Sequence, residues 1–170
     1  MSRIKICGLR RPEDIAAVNE ARPDYCGFIV EYPKSRRSID RATLRELVRG
    51  LREEIVPVGV FVNAPKALVA ELLEEGTIQI AQLHGQESQE YIQELKVLTE
   101  KPLIQAFSIK SKEDVERARE SVADYILLDQ GSGGTGKMFD WSLVGEVGRP
   151  YFLAGGLDVE NLREAIGLLH

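Results

Sequence analysis

Lys5 and Cys7 stand two residues apart in "RIKICG", the spacing at which side chains of a strand share one face, with Ile4 and Ile6 on the other. An ammonium group beside a thiol favours the thiolate, which would let Cys7 serve as a base or nucleophile near neutral pH. A buried structural cysteine is the commoner use of a lone Cys on a strand, and Cys26 fits that use. Asp129 closes the otherwise apolar run "DYILLD". A carboxyl group partly shielded from water can keep its proton and act as a general acid; the alternative is a bond to the backbone of the following turn.

Lys34, Arg36 and Arg37 crowd into "YPKSRRS", where an arginine could clamp a carboxylate in two-pronged geometry or simply belong to a solvated surface. His84 ends a strand in "QLHGQE" and could polarise a substrate or bond a neighbouring strand end. No His-rich or Cys-rich cluster stands beside it, so metal binding is not expected. Gly155 and Gly156 in "AGGL" precede a helical stretch, a place where backbone N–H groups suit phosphate and where a tight turn needs glycine in any case.

The run "GSGGTGKM", Gly131 to Met138, nearly spells a nucleotide-binding loop. Such a loop requires Ser or Thr after its lysine to hold Mg²⁺, and an aspartate ending a later strand. Met138 follows Lys137 and only "PYFLAG" comes after, so a nucleotide hydrolase is a weak reading. The glycine run could instead serve some other phosphate.

These residues need elements to hold them, and the chain supplies a repeating pattern. Strand-like "RIKICG", "DYCGFIV", "VPVGVFV", "IQIAQLH", "PLIQAFSI", "DYILLD" and "PYFLAG" alternate with amphipathic stretches. The helices begin at "RPEDIAAVNEA", where Pro12 and acidic residues mark the first turn, and at "DRATLRELVRGL", where Asp40 is a cap. "APKALVAELLEE", "ESQEYIQELKVL", "SKEDVERARES", "FDWSLVGEV" and "DVENLREAIGLL" follow. About seven strand–helix units recur roughly every 25 residues, and strands separated by helices imply a parallel sheet. Polar groups gather at the C-terminal ends of several strands, at Lys5, Cys7, Gln82, His84 and Asp129. That distribution suits the rim of a βα barrel better than an open doubly wound sheet, whose strands would be apolar throughout.

A chain of 170 residues suits one domain with one core. Its net charge of −5 gives no general attraction to nucleic acid or an anionic membrane, although a local basic pocket could hold an anionic small molecule. Two cysteines are too few for a disulfide framework, and "MSRIKICG" meets charges too early for a signal peptide. With no apolar run of about 18 residues, a cytoplasmic location is expected.

Six fragments, "KICGLRRPEDI", "GFIVEYPKSRRSI", "VGVFVN", "AQLHGQE", "ILLDQGSGGTGKMFDW" and "LAGGLDVENLREAI", together resemble the phosphoribosylanthranilate isomerases of tryptophan biosynthesis, in order and over nearly the whole chain. The resemblance implies a (βα)8 TIM barrel, here a single βα-barrel domain over residues 1–170. It implies an Amadori rearrangement of N-(5-phosphoribosyl)anthranilate to the 1-deoxyribulose 5-phosphate isomer, with no metal or cofactor. By the same resemblance Cys7 is the catalytic base and Asp129 the general acid, on the first and sixth strands of the barrel mouth. The anthranilate carboxylate would face Arg37, with Arg36 adjacent; Lys5, His84, Gly133, Gly134, Gly155 and Gly156 would contact the rest of the phosphorylated substrate. The family pattern continues past "AIGLLH" with an eighth strand that closes the barrel and supplies part of the phosphate site. Without it the edges of the first and last strands would invite self-association into a homo-oligomer. The expectation therefore divides between a working isomerase and a truncated, inactive or weakly active barrel fragment that self-associates.

Overall fold

Pro12 begins α1 (Pro12–Ala21), where the missing proline N–H costs nothing, and the Asp14 carboxylate accepts the backbone N–H groups of Arg10 (2.9 Å) and Arg11 (3.1 Å). The Arg10 N–H above all holds this carboxyl below the ordinary aspartate value. The structure, a computed structural model, describes residues 2–129, 144 and 147–168. They fall into two compact units, Met1–Leu103 and Ile104–His170.

In the first unit β1 (Lys5–Cys7), β2 (Tyr25–Val30), β4 (Val56–Phe61) and β5 (Ile80–Leu83) form a parallel sheet in that order, with the two-residue β3 (Ser38–Ile39) paired to the end of β2. The helices α1, α2 (Arg41–Arg49), α3 (Lys66–Glu74) and α4 (Gln89–Leu98) follow the expected alternation. Asp40 caps α2 by accepting the Thr43 N–H at 2.8 Å, as its position predicts, and Ser88 caps α4 through the Tyr91 N–H at 3.1 Å. Phe28, Phe61, Leu72, Leu73, Leu83 and Ile92 are fully buried and tie strands to helices. β3 is too short to read from "RRSI", yet its register, Ile29 with Ser38 and Val30 with Ile39, returns the arginine-rich loop to the end of β2.

In the second unit β6 (Leu103–Ser108), β7 (Tyr125–Asp129) and β8 (Tyr151–Leu153) lie parallel, with α5 (Lys112–Arg119) between the first two. Ser111 and Asp114 form a reciprocal capping box at the start of α5. Ile109, Val115, Ala118, Ile126, Leu128, Val144 and Val147 make the core. Arg149 ties the approach to β8 onto the α5–β7 turn, donating to the carbonyls of Arg119 (3.1 Å), Ser121 (2.6 Å) and Ala123. The expected helix in "FDWSLVGEV", apart from Val144 and Val147, and the glycine run 131–138, with Gly133 and Gly134, lie outside the described residues. α6 (Leu162–Leu168) starts four residues later than "DVENLREAIGLL" suggests. The Asp158 carboxylate accepts the N–H groups of Glu160 (2.9 Å) and Asn161 (3.0 Å), so the first residues form a turn instead.

Both cysteines are free thiols. Among the described residues no helix is long and apolar enough to cross a membrane.

Candidate functional site

β1 ends at Cys7, which is exposed, and the chain turns at once. Gly8 N–H (2.9 Å) and Leu9 N–H (3.1 Å) both donate to the Gly27 carbonyl on β2, a geometry that holds Gly8 at φ +93°, where a side chain would be strained. Arg37 lies over that glycine: a Cβ on Gly8 would stand 2.7 Å from Arg37 Cδ and 3.0 Å from Nη1. Arg36 differs, since its carbonyl accepts from Arg10 Nη1 at 2.8 Å. A cavity of about 610 Å³ takes its lining from Ile6 on β1 and Ala17, Val18 and Ala21 on α1 as well as from Cys7, Arg36 and Arg37, so it lies between the strand and the helix and does not include Lys5. The fold thus gathers Lys5, Cys7 and Arg37, which the sequence singles out, and β3 is the element that delivers the arginines. A guanidinium and an ammonium on either side of a thiol suit an anionic ligand.

Cys26 is fully buried on β2, and burial pushes its thiol up to about 12 against the opposing field of Lys5. In the folded chain iodoacetamide is therefore expected to alkylate Cys7 and to reach Cys26 only after denaturation, as read by peptide mass spectrometry. Labelling of both at similar rates would contradict this placement.

His84 follows β5, its N–H donating to the Phe61 carbonyl at 2.8 Å and its Nδ1 lying 2.8 Å from Gln82 Nε2. The loop after it is fixed by two residues that sequence reasoning left unassigned. Glu87, buried, accepts the N–H groups of Asn63 (2.7 Å) and Gly85 (2.8 Å), while Asn63 Oδ1 accepts that of Gln86 (2.8 Å). Asn63 holds φ +51°, which asparagine tolerates better than most residues, and that was the available signal. Nothing in "HGQES" marks Glu87 as buried. Its charge, after burial itself, also helps push the Tyr91 hydroxyl up to about 12. Glu87→Ala strips an acceptor from two partly buried N–H groups and is expected to lower the unfolding free energy by about 1–3 kcal/mol in urea titrations. An unchanged midpoint would contradict the clamp.

Asp129 is half-buried at the end of β7, opposite Ser108, and its carbonyl accepts the Ile109 N–H at 2.8 Å. Ala154 N–H donates to the Leu128 carbonyl at 2.8 Å, so Gly155 and Gly156 leave β8 beside the strand end that carries Asp129. Both glycines are left-handed, at φ +90° and +66°, and the Gly156 carbonyl accepts Asn161 Nδ2 at 2.7 Å.

Residues 4–170 match the family of N-(5'phosphoribosyl)anthranilate (PRA) isomerase. The chain belongs to the PRA isomerase family. Among PRA isomerases, the N-(5'-phosphoribosyl)anthranilate isomerase of Endomicrobium trichonymphae is 42% identical over 174 residues, covering 100% of this chain and 84% of that protein. The crystal structure of phosphoribosyl anthranilate isomerase from Thermotoga maritima superposes with a TM-score of 0.88 at 36% identity, over 99% of this chain and 83% of its own. A further PRA isomerase structure, in complex with reduced 1-(o-carboxyphenylamino)-1-deoxyribulose 5-phosphate, matches with a TM-score of 0.85 at 34% identity, over 99% of this chain and 82% of its own. The fold class is that of the PRA isomerase (βα)8 barrel.

Proposed function

We propose that this chain is the isomerase of tryptophan biosynthesis that converts N-(5-phosphoribosyl)anthranilate into 1-(2-carboxyphenylamino)-1-deoxyribulose 5-phosphate. The family match over residues 4–170 carries this reading, and the thiol, ammonium and guanidinium gathered at the end of β1 support it. No observation favours the alternative of an inactive, self-associating fragment.

In the proposed reaction Asp129 gives its proton to the furanose ring oxygen, the C1′–O bond breaks, and the anthranilate nitrogen lone pair completes a protonated Schiff base. Cys7, as thiolate, removes the proton at C2′; the C2′–H pair forms the C1′=C2′ double bond and the C1′=N pair returns to nitrogen, giving an enolamine. C1′ then gains a proton as the C2′ hydroxyl loses one, leaving a ketone at C2′. C2′ is oxidised and C1′ reduced within one molecule, so no external electron carrier is required. Arg37 pairs with the anthranilate carboxylate, its guanidinium already lying at the Cys7 end of the strand. Lys5 and His84 contact the sugar. Gly155 and Gly156, with Gly133 and Gly134, bring backbone N–H groups to the phosphate. The substrate being a phosphorylated small molecule, neither nucleic acid nor membrane enters the reading, and the cytoplasm is the compartment proposed.

Substrate carrying ¹³C at C2′ tests this directly. Turnover moves that carbon from a carbinol to a ketone resonance. Absence of the ketone signal at every protein concentration, with freshly generated substrate, would overturn the reading.

A further inference from the structure

Gly27 occupies the middle of β2, between Cys26 and Phe28, in a strand whose other members are Tyr, Cys, Phe, Ile and Val. Glycine weakens a strand interior, and there it commonly marks a close approach by another group. The backbone gives no reason for it, since Gly27 does not have the positive φ found at Gly8. The reason is space. A Cβ on Gly27 would stand 2.5 Å from Cys7 Sγ, 3.3 Å from Cys7 Cβ and 3.1 Å from Lys5 Nζ. Parallel pairing sets Cys7 opposite Gly27 and Lys5 opposite Tyr25, so both β1 side chains lean across the same bare Cα. Gly59 on β4 makes the contrast: the nearest atoms to a Cβ there belong to the apolar side chains of Ile78 and Phe61, a constraint of core packing.

We infer that Gly27 is a positioning residue, whose missing side chain is the seat that brings the Cys7 thiol and the Lys5 ammonium together. The seat keeps the long lysine side chain beside the thiol. Arg10, Arg11, Asp14, Arg36 and Arg37 line a cavity that Cys7 shares but Lys5 and Gly27 do not, while Cys26 on the neighbouring strand stays a buried neutral thiol. Lys5 differs from them in sharing the seat itself. An added methyl group at residue 27 must displace the sulfur, which at 2.5 Å is nearer than any real Cβ contact allows, and it also crowds the Lys5 ammonium at 3.1 Å.

The effect on turnover rests on Cys7 being the base; the geometry does not. Cys7 alkylation by iodoacetamide at neutral pH reads the seat without substrate. Lys5→Met is expected to slow alkylation roughly tenfold in the native background. Gly27→Ala is expected to slow it by a similar factor, and Lys5→Met added to Gly27→Ala to slow it little further, because the pair is already separated. Gly59→Ala, which alters packing alone, should leave the alkylation rate near that of the parent. In isomerase assays Gly27→Ala is expected to lose about 10²-fold in kcat, the scale of a misplacement of about 1 Å. Full additivity of the Lys5 and Gly27 substitutions in alkylation would overturn the inference. So would an unchanged alkylation rate in Lys5→Met alone, a test that stands even if Gly27→Ala fails to fold. A parent chain with the alkylation pattern but no turnover would count against the proposed function and leave the seat intact.

Discussion

Cys7→Ala is expected to lower kcat for the isomerisation by about 10²–10⁴-fold, the usual range for losing one proton-transfer group. KM should change little, because the thiolate meets C2′ most strongly while the proton is in flight, and an interaction made only then is lost from kcat and kcat/KM alike. Unfolding should also change little. Cys7 is exposed at the end of a three-residue strand, and its removal opens no core cavity. Cys7→Ser keeps the shape but offers a far weaker acid than a thiol, so it should be nearly as slow as alanine. A serine variant within a fewfold of the parent would mean that the sulfur is not the base. Steady-state kinetics beside urea titrations separate these outcomes.

Asp129→Asn is the second large effect, again about 10²–10⁴-fold in kcat. The amide retains the size of the carboxyl group and the backbone pairing of β7 with β6, through Ser108 and Ile109, but has no acidic proton for the ring oxygen. Ring opening precedes loss of the C2′ proton in the proposed sequence, and this predicts how the two variants combine. Each slows a different step, so the double variant should be about as slow as the slower single one, well short of the product of the two effects. A multiplied loss would point instead to both groups acting in one transition state. Asp129→Asn with parental kcat would remove the aspartate from the mechanism.

The sequence made these residues visible because their chemistry interrupts a pattern. Lys5, Cys7 and Asp129 put polar groups at the ends of apolar strands, and alternation alone set Lys5 and Cys7 on one face, where both now lean over Gly27. Caps were legible for the same local reason: Asp40 needs only the Thr43 N–H three residues on. What stayed hidden depends on partners distant in the chain. β3 is two residues long and exists through its pairing with β2, so no periodicity could announce it. Glu87 becomes a clamp between two loops because Asn63, on the preceding loop, turns its N–H toward it. Gly27 reads as a weak spot in a strand until the neighbouring strand supplies a thiol and an ammonium to fill the gap. That the Arg37 side chain lies over Gly8 likewise depends on the loop's course, which no local pattern in "SRRS" announces.

The central claim is that Cys7 takes the proton from C2′. Single-turnover loss of deuterium from C2′-deuterated substrate, compared between the parent chain and folded Cys7→Ala, tests it most directly. Deuterium should leave C2′ in step with ketone formation in the parent, and about 10²–10⁴-fold more slowly in Cys7→Ala. Equal rates in the two proteins would contradict it.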